Sequence, residues 1–263
     1  MQGREARSVI TFERAFREII RRAKKGTPER TTVSGACGRF LAEDIKSPID
    51  MPPFHKSAMD GFAVKWEDVR DTPVELKVIG EIPAGTTMNV SIHKGECARI
   101  MTGSPLPEGA DSVVMLEDTR QKGGHQVVIL GPAGKGENIC FKGEDIRKGA
   151  MLLKKGVFLG SAQIAVASAA GRTRLKTFGK PSVCVVSTGD EIVEPGNRLP
   201  KGKIYNSNGP MLVSLAKSAG AKCAYAGIAK DDEEMLSEMI QKGFKSDMLL
   251  LSGGVSEGDF DLV

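Results

Sequence analysis

Histidine and aromatic side chains are scarce in this chain: three His and 5% Phe, Trp and Tyr among 263 residues. The histidines, at positions 55, 93 and 125, stand far apart in the sequence. No His-rich metal site is expected from them, and any metal is expected to be a hard, oxygen-bound ion. The five cysteines (Cys37, Cys97, Cys140, Cys184 and Cys223) are odd in number and form no CxxC pair. That pattern excludes a zinc ribbon or a disulfide framework and fits free thiols in a reducing cytosol. No stretch of about 18 apolar residues occurs, so no membrane span is expected. Uninterrupted basic tracts are also missing, because 37 Lys and Arg are interleaved with 33 Asp and Glu. The balance argues against nucleic-acid binding and for a weakly basic surface suited to small anions.

Apolar residues are plentiful, at 40% of the chain, enough for sizeable cores and roughly two domains by length. Thr11 is placed to cap a helix whose residues Phe12, Phe16, Ile19, Ile20 and Ala23 share one face, with Gly26 and Pro28 ending it. Such a face is built for docking. A second short helical pattern runs from Ala36 to Leu41, before the turn Ser47-Pro48 and the pair Pro52-Pro53. From Ala58 to about Glu144 the texture changes to short strands, among them 75–79, 97–101, 112–116 and 126–130, punctuated by Gly and Pro. This reads as a β-rich domain. A small-residue helix capped by Ser161 and closed by Gly171 comes next, then the apolar run Ser182 to Ser187, a fully buried strand. The remainder alternates: a helix capped by Asn208, strand 221–228, helix 233–244 and strand 248–251. Alternation of this kind predicts a parallel, doubly wound sheet.

Three junctions in that last part carry chemistry. Ser187-Thr188-Gly189-Asp190-Glu191 follows the first strand, and Ser252 to Asp261 follows the last. Ligands of open α/β sheets bind beyond the carboxyl ends of strands, where Gly admits an anion and backbone N–H groups hold it. Thr188, Gly189, Asp190, Ser252, Gly253, Gly254 and Ser256 are therefore the expected ligand-binding positions. Carboxylates would repel a phosphate unless a shared Mg²⁺ stood between them, and Glu191 and Asp231 are the candidate metal ligands. No Gly-Lys-Ser/Thr follows either loop, so neither is a Walker P-loop. The third junction, Lys230-Asp231-Asp232-Glu233, reads by itself as a helix cap. In the β-rich part, Asp60 and Thr102 read by themselves as turn and strand-end residues, and Gly143-Glu144-Asp145 as an acidic turn.

In their order, SAMDGFAV (57 to 64), RIMTGSPLPEGAD (99 to 111), NICFKGEDI (138 to 146), STGDE (187 to 191), YNSN (205 to 208), GIAKDD (227 to 232) and SGGVSEGDFD (252 to 261) resemble the molybdopterin molybdenumtransferases. This is the MoeA family, which includes the E domain of gephyrin, and the resemblance runs from about Phe12 onward. It implies a multi-domain, elongated α/β protein with a β-rich inserted domain and a partial doubly wound parallel sheet at the C-terminal end. The implied divisions are 1–50 with 145–177 for dimerisation, 51–144 for the insertion and 178–263 for molybdopterin binding. The implied reaction, in the cytoplasm, inserts molybdate into adenylylated molybdopterin, releases AMP and depends on Mg²⁺. Asp60, Thr102, Asp145, Glu191, Asp231 and Asp261 match functional positions of the family, and these meet across a homodimer interface.

Two residues depart from the family pattern. Cys140 stands where many members carry Arg, and Glu257 where an apolar residue is usual. Members also continue past the last loop with more of the α/β domain, including basic residues used for anions, and a small β domain. Residues 178–263 as given are expected to be an incomplete molybdopterin-binding domain. Molybdate and tungstate, tetrahedral dianions of similar size, are not distinguished by these residues. Two other classes fit the same motifs: a non-catalytic gephyrin-like scaffold, and a molybdopterin-binding module without transfer activity.

Overall fold

A computed structural model describes residues 10–85 and 90–253. Contacts divide the chain into one unit made of residues 1–43 and 154–263 and a second made of 44–153.

The second unit is organised by a six-stranded sheet in the order Ser112–Met115, Gly61–Val64, Glu96–Ile100, Val74–Ile82, Gln126–Ile129, Thr119–Gln121. All neighbours are antiparallel except Val74–Ile82 against Glu96–Ile100. Gly61–Val64 is buried along its whole length because both faces are covered. Phe62 and Val64 pack with Leu76, Cys97, Val114 and Ile129 on one face, and Ala63 packs with Ile82, Ala98, Ile100 and Val113 on the other. Each fully buried aliphatic or Phe side chain contributes about 1.5–3 kcal/mol. Gly61 is required by close approach, since a Cβ there would lie 2.0 Å from the carbonyl oxygen of Val114.

In the first unit, helix Phe12–Arg22 starts at Thr11, whose hydroxyl accepts from the Arg14 amide at 3.3 Å. Its apolar side chains remain exposed: Phe12 by 79%, Phe16 by 54%, Ile19 by 57% and Ile20 by 58%. The expected helix at Ala36–Leu41 does not form. Ser34–Ala36 makes one 3₁₀ turn, after which Phe40 and Leu41 extend to bridge Phe158 and Thr177. Ser161 is the first residue of its helix, Ser161–Ala169, rather than its cap; the Gly160 amide instead donates to Gln163 Oε1 at 3.1 Å.

The rest of this unit is a parallel sheet with Ser182–Thr188 in the centre, Lys222–Ala229 on one side and Met248–Ser252 on the other. Helix Asn208–Ser218 precedes Lys222–Ala229 on the way from the central strand, and helix Glu233–Gly243 connects that edge strand to Met248–Ser252. The chain thus leaves the central strand toward one edge and returns past it to the other. Right-handed crossovers put the two helices on opposite faces, which makes this a doubly wound arrangement. Cys184 and Val186 face Leu236, Met239 and Ile240 on one side. On the other, Ser187 and Tyr225 crowd Gly209, where a Cβ would lie within 3.0 Å of both.

Candidate functional site

The carboxyl ends of the three parallel strands carry the expected loops. Past Thr188 the chain turns at Gly189, φ 133°, whose amide donates to the Ala229 carbonyl at 3.1 Å. That φ is one L side chains rarely adopt, which favours Gly there, and the Glu191 carboxylate lies over the position a Cβ would take. Asp190 and Asp231 then clasp each other across two strand ends. The Asp190 amide donates to Asp231 Oδ2 at 3.2 Å, and the Asp231 amide donates to Asp190 Oδ1 at 3.4 Å. On the other side Thr188 Oγ1 donates to the Ser252 carbonyl at 3.3 Å. Gly253, φ 105°, passes so close that a Cβ would sit 2.4 Å from the Thr188 carbonyl oxygen. Thr188, Gly189, Asp190, Glu191, Asp231, Ser252 and Gly253 therefore share one sheet edge. Gly254, Ser256 and Asp261 lie outside the described residues.

Asp232, not Asp231, caps the following helix, its Oδ1 accepting from the Met235 amide at 2.8 Å. The capping duty falls on the neighbour, and the Asp231 side chain is turned toward the Asp190 loop. Among the described residues no group of three or more His, Cys, Asp or Glu is placed to hold a metal ion. Mg²⁺ needs fewer protein ligands than that, one or two carboxylates completed by phosphate and water. Glu191, over Gly189, and Asp231, against the Asp190 amide, are exposed hard-oxygen donors at adjacent strand ends, a fit for such a partial shell.

Sequence reasoning gave no role to the polar network beneath this edge. Asn206, 2% exposed, accepts from Ser187 Oγ at 3.2 Å and the Gly209 amide at 3.0 Å. Its amide donates to the Tyr225 hydroxyl at 2.6 Å, which in turn donates to Glu194 Oε1 at 2.5 Å. Burial first, and the Glu194 carboxylate second, push the Tyr225 hydroxyl up to about 12. Asn206 also does the work expected of Asn208: it satisfies the amide at the start of helix Asn208–Ser218, while Ser207 makes no capping bond. The Asn-x-x-Gly spacing of 206 to 209 was the available signal. Lys203 was likewise missed; its Nζ donates to the Asp190 carbonyl at 2.5 Å.

In the other unit, three motifs distant in sequence are laced together by backbone bonds. The Ser57 amide donates to the Ser104 carbonyl at 3.0 Å, the Gly103 amide returns to the Ser57 carbonyl at 2.8 Å, and the Ala58 amide donates to the Asn138 carbonyl at 2.9 Å. Ser57 Oγ turns back to the Met59 carbonyl at 2.5 Å, presenting Asp60 at the head of its strand. Asp60 Oδ1 accepts from both the Thr102 amide, at 2.7 Å, and the Thr102 hydroxyl, at 2.6 Å. Those two bonds, hydroxyl first, hold the Asp60 carboxyl below the ordinary aspartate range. Asp145 is exposed on the third motif, its amide donating to the Met51 carbonyl at 3.1 Å. Beside it, burial and then the Glu144 carboxylate raise the Cys140 thiol, which is therefore neutral near pH 7. Lys142 reaches Asp50 at 3.8 Å.

Residues 10–171 match the MoeA N-terminal region, domains I and II, and residues 184–263 match a probable molybdopterin-binding domain. A molybdopterin molybdenumtransferase of Staphylococcus epidermidis is 36% identical over 263 residues, 98% of this chain and 62% of that protein. One from Nostoc sp. is 40% identical over 233 residues, 87% of this chain and 53% of that protein. Among solved structures, a molybdopterin biosynthesis MoeA protein of Pyrococcus horikoshii OT3 superposes with a TM-score of 0.85 at 32% identity, over 94% of this chain and 67% of that one. A second crystal structure of a molybdopterin biosynthesis MoeA protein from the same species gives 0.80 at 41%, over 94% and 64%. The chain thus spans less than two thirds of the length of these sequence relatives. With both regions matched in chain order, and the parallel-sheet edge and laced motifs where those regions fall, the chain belongs to the MoeA family.

Proposed function

We propose that this chain carries the greater part of a molybdenumtransferase of molybdenum cofactor biosynthesis, which inserts molybdate into adenylylated molybdopterin and releases AMP. The observation that carries the reading is the mutual clasp of Asp190 and Asp231 beside two glycines at positive φ. It gathers carboxylates at two strand ends beside closely approachable glycine backbone, where a phosphate bridged by a cation would be held. The names of the relatives supply the substrate class, and all of them are longer than this chain.

When bound, Mg²⁺ would neutralise the phosphoanhydride and polarise its phosphorus for attack. Glu191 and Asp231 would hold it. Thr188, Gly189, Ser252 and Gly253 shape the strand-end edge on which the phosphate and pterin would rest, the two glycines letting them approach the backbone closely, with Asp190 keeping Asp231 turned inward. The same role is assigned to Gly254 and Ser256, and a catalytic one to Asp261. Asp60, ionised and braced by Thr102, and Asp145 orient substrate or molybdate from the β-rich unit. A homodimer brings the two sets together in this reading, with residues 1–50 and 145–177 dimerising and the exposed face of Phe12–Arg22 the natural contact. The neutral Cys140 leaves anion binding near Asp145 to Lys142.

The test places Glu191→Gln and Asp231→Asn in a complete molybdenumtransferase and follows molybdate-dependent AMP release. Each variant is expected to lose at least about tenfold, some 1.4 kcal/mol of transition-state stabilisation. Wild-type rates in both at limiting Mg²⁺ would remove these residues from the reaction.

A further inference from the structure

A notch in the six-stranded sheet, made only of residues from the β-rich unit, has the makings of a second binding site. Between Val78 and Glu81 the strand Val74–Ile82 carries one residue too many for its parallel neighbour: Val78 stands opposite Cys97, and Glu81 opposite Arg99. On its other side it pairs with Gln126–Ile129 only through Val74–Lys77. The hairpin that begins that neighbour turns through Gly123 and Gly124, φ 48° and 54°, and its last link is the Val78 amide donating to the His125 carbonyl at 2.8 Å. Beyond Val78, Ile79 and Gly80 therefore have no registered strand partner on that side among the described residues. Bulges are uncommon between parallel strands and collect beside binding sites, and Gly within a strand lets another group approach the backbone.

The gap opens into a cavity of about 320 Å³, at the lower end of the range for small-molecule pockets. Its apolar floor is formed by Phe62 and Val78, of one core cluster; Ile79 borders it but packs against the cluster on the sheet's other face. Two opposite charges stand over that floor. Arg99 Nε is buried with no hydrogen-bond partner, and the nearest carboxylate oxygen, Glu81 Oε1, is 3.7 Å away, too far for a hydrogen bond. A buried donor left without an acceptor is rare in folded proteins and costs about 1–3 kcal/mol. The Arg99 side chain is 38% exposed and that of Glu81 57%, so although Nε is sealed off, the rest of the guanidinium and the carboxylate can be reached by a ligand. A simple anion on Arg99 would face the Glu81 carboxylate, and a simple cation on Glu81 would face the Arg99 guanidinium. A zwitterion with an apolar tail answers both charges and the floor.

We propose that this notch binds an α-amino acid with an apolar side chain, its carboxylate on Arg99, its ammonium on Glu81 and its side chain on Phe62 and Val78. The site goes beyond the transferase reading and does not depend on it. Isothermal titration of the purified chain with L-phenylalanine, L-leucine, 3-phenylpropanoate and 2-phenylethylamine tests it. Saturable binding of at least one amino acid is expected, with both truncated analogues roughly tenfold weaker or worse, about 1.4 kcal/mol for each lost charge pair. Arg99→Gln should abolish the binding. Glu81→Gln, a change on a mostly exposed side chain, should keep the fold and remove the preference for the amino acid over 3-phenylpropanoate. The proposal is overturned if neither amino acid binds, if 3-phenylpropanoate binds as tightly as L-phenylalanine to the unaltered chain, or if Glu81→Gln leaves the preference intact. No molybdopterin enters the assay, so its outcome is separate from that of AMP release.

Discussion

Asn206→Ala is the most informative single change to the sheet edge. Asn206 is 2% exposed and makes three side-chain bonds: from Ser187 Oγ at 3.2 Å, from the Gly209 amide at 3.0 Å, and to the Tyr225 hydroxyl at 2.6 Å. Tyr225 retains Glu194 after the truncation. Ser187, 1% exposed, and the buried Gly209 amide lose their acceptor. At about 1–3 kcal/mol for each buried donor left unsatisfied, the loss is about 2–6 kcal/mol, with about 3 expected because the space vacated can admit a water. Urea unfolding followed by circular dichroism measures the loss, and the Gly209 amide should lose its hydrogen-exchange protection with it. Asn206→Asp separates this account from simple loss of volume. It keeps the acceptor for Ser187 and Gly209 but buries a carboxylate beside Glu194, so its pKa rises. A raised carboxyl pKa makes the variant less stable at neutral pH and returns stability as pH falls toward the folded-state pKa. A loss below about 0.5 kcal/mol in Asn206→Ala, the range of surface substitutions, would refute the reasoning.

Other consequences can be checked separately. Asp60 should titrate below the ordinary value of about 3.9 in a carboxyl NMR experiment, and Thr102→Val should return it toward that value. Because the shift is downward, whatever stability Asp60 lends is present above that ordinary pKa and lost as pH falls through the folded one, so the two proteins should differ in stability at neutral pH and converge in acid. Gly253→Ala forces a Cβ to within 2.4 Å of the Thr188 carbonyl oxygen at φ 105°, and should weaken molybdopterin binding at least about tenfold while far-ultraviolet circular dichroism stays unchanged. Phe16→Ser with Ile20→Ser removes two large exposed apolar residues from helix Phe12–Arg22. Light scattering should show the proposed dimer shift toward monomer, and an unchanged mass would move the contact elsewhere.

Much of the α/β unit was legible because its signals are local. The Thr11 cap, the run from Ser182 to Thr188 and the alternation after it each depend on a few consecutive residues, and each element stands where expected within a residue or two. Ala36–Leu41 misled for a tertiary reason. Its apolar spacing suits a helix, but Phe40 and Leu41 gain more by extending against Phe158 and Thr177 than a lone turn could offer. At the sheet edge, strand ends and glycines pointed to Gly189 and Gly253, whereas the Asn206 network was hidden. Its members lie at 187, 194, 206, 209 and 225, a set that no periodicity links and only the crossover assembles. The notch beside Arg99 was equally hidden, since a one-residue bulge leaves no mark in an alternation already broken by Gly80.

Charge accounts for the reading of the edge as a cation-dependent site. Asp190, Glu191, Asp231 and Asp232 gather at two adjacent strand ends, and Lys203, the cation bonded to that loop, takes a carbonyl oxygen rather than a carboxylate. Two like charges about 4 Å apart repel by roughly 4 kcal/mol at a protein surface, so a phosphate approaching this edge unaccompanied is opposed several times over. The Asp190–Asp231 clasp does not relieve this, because its donors are amides and the net charge is unchanged. A divalent cation does relieve it, as it turns the carboxylates from an obstacle into the means of holding the phosphate. Substrate affinity for the complete enzyme should accordingly fall with added chelator and recover with Mg²⁺. In Asp231→Asn the same titration should be shallower, since one carboxylate that repels phosphate has been removed along with one that binds metal. A variant with the full metal dependence of the parent would show that the acids of this edge hold the fold and not the substrate.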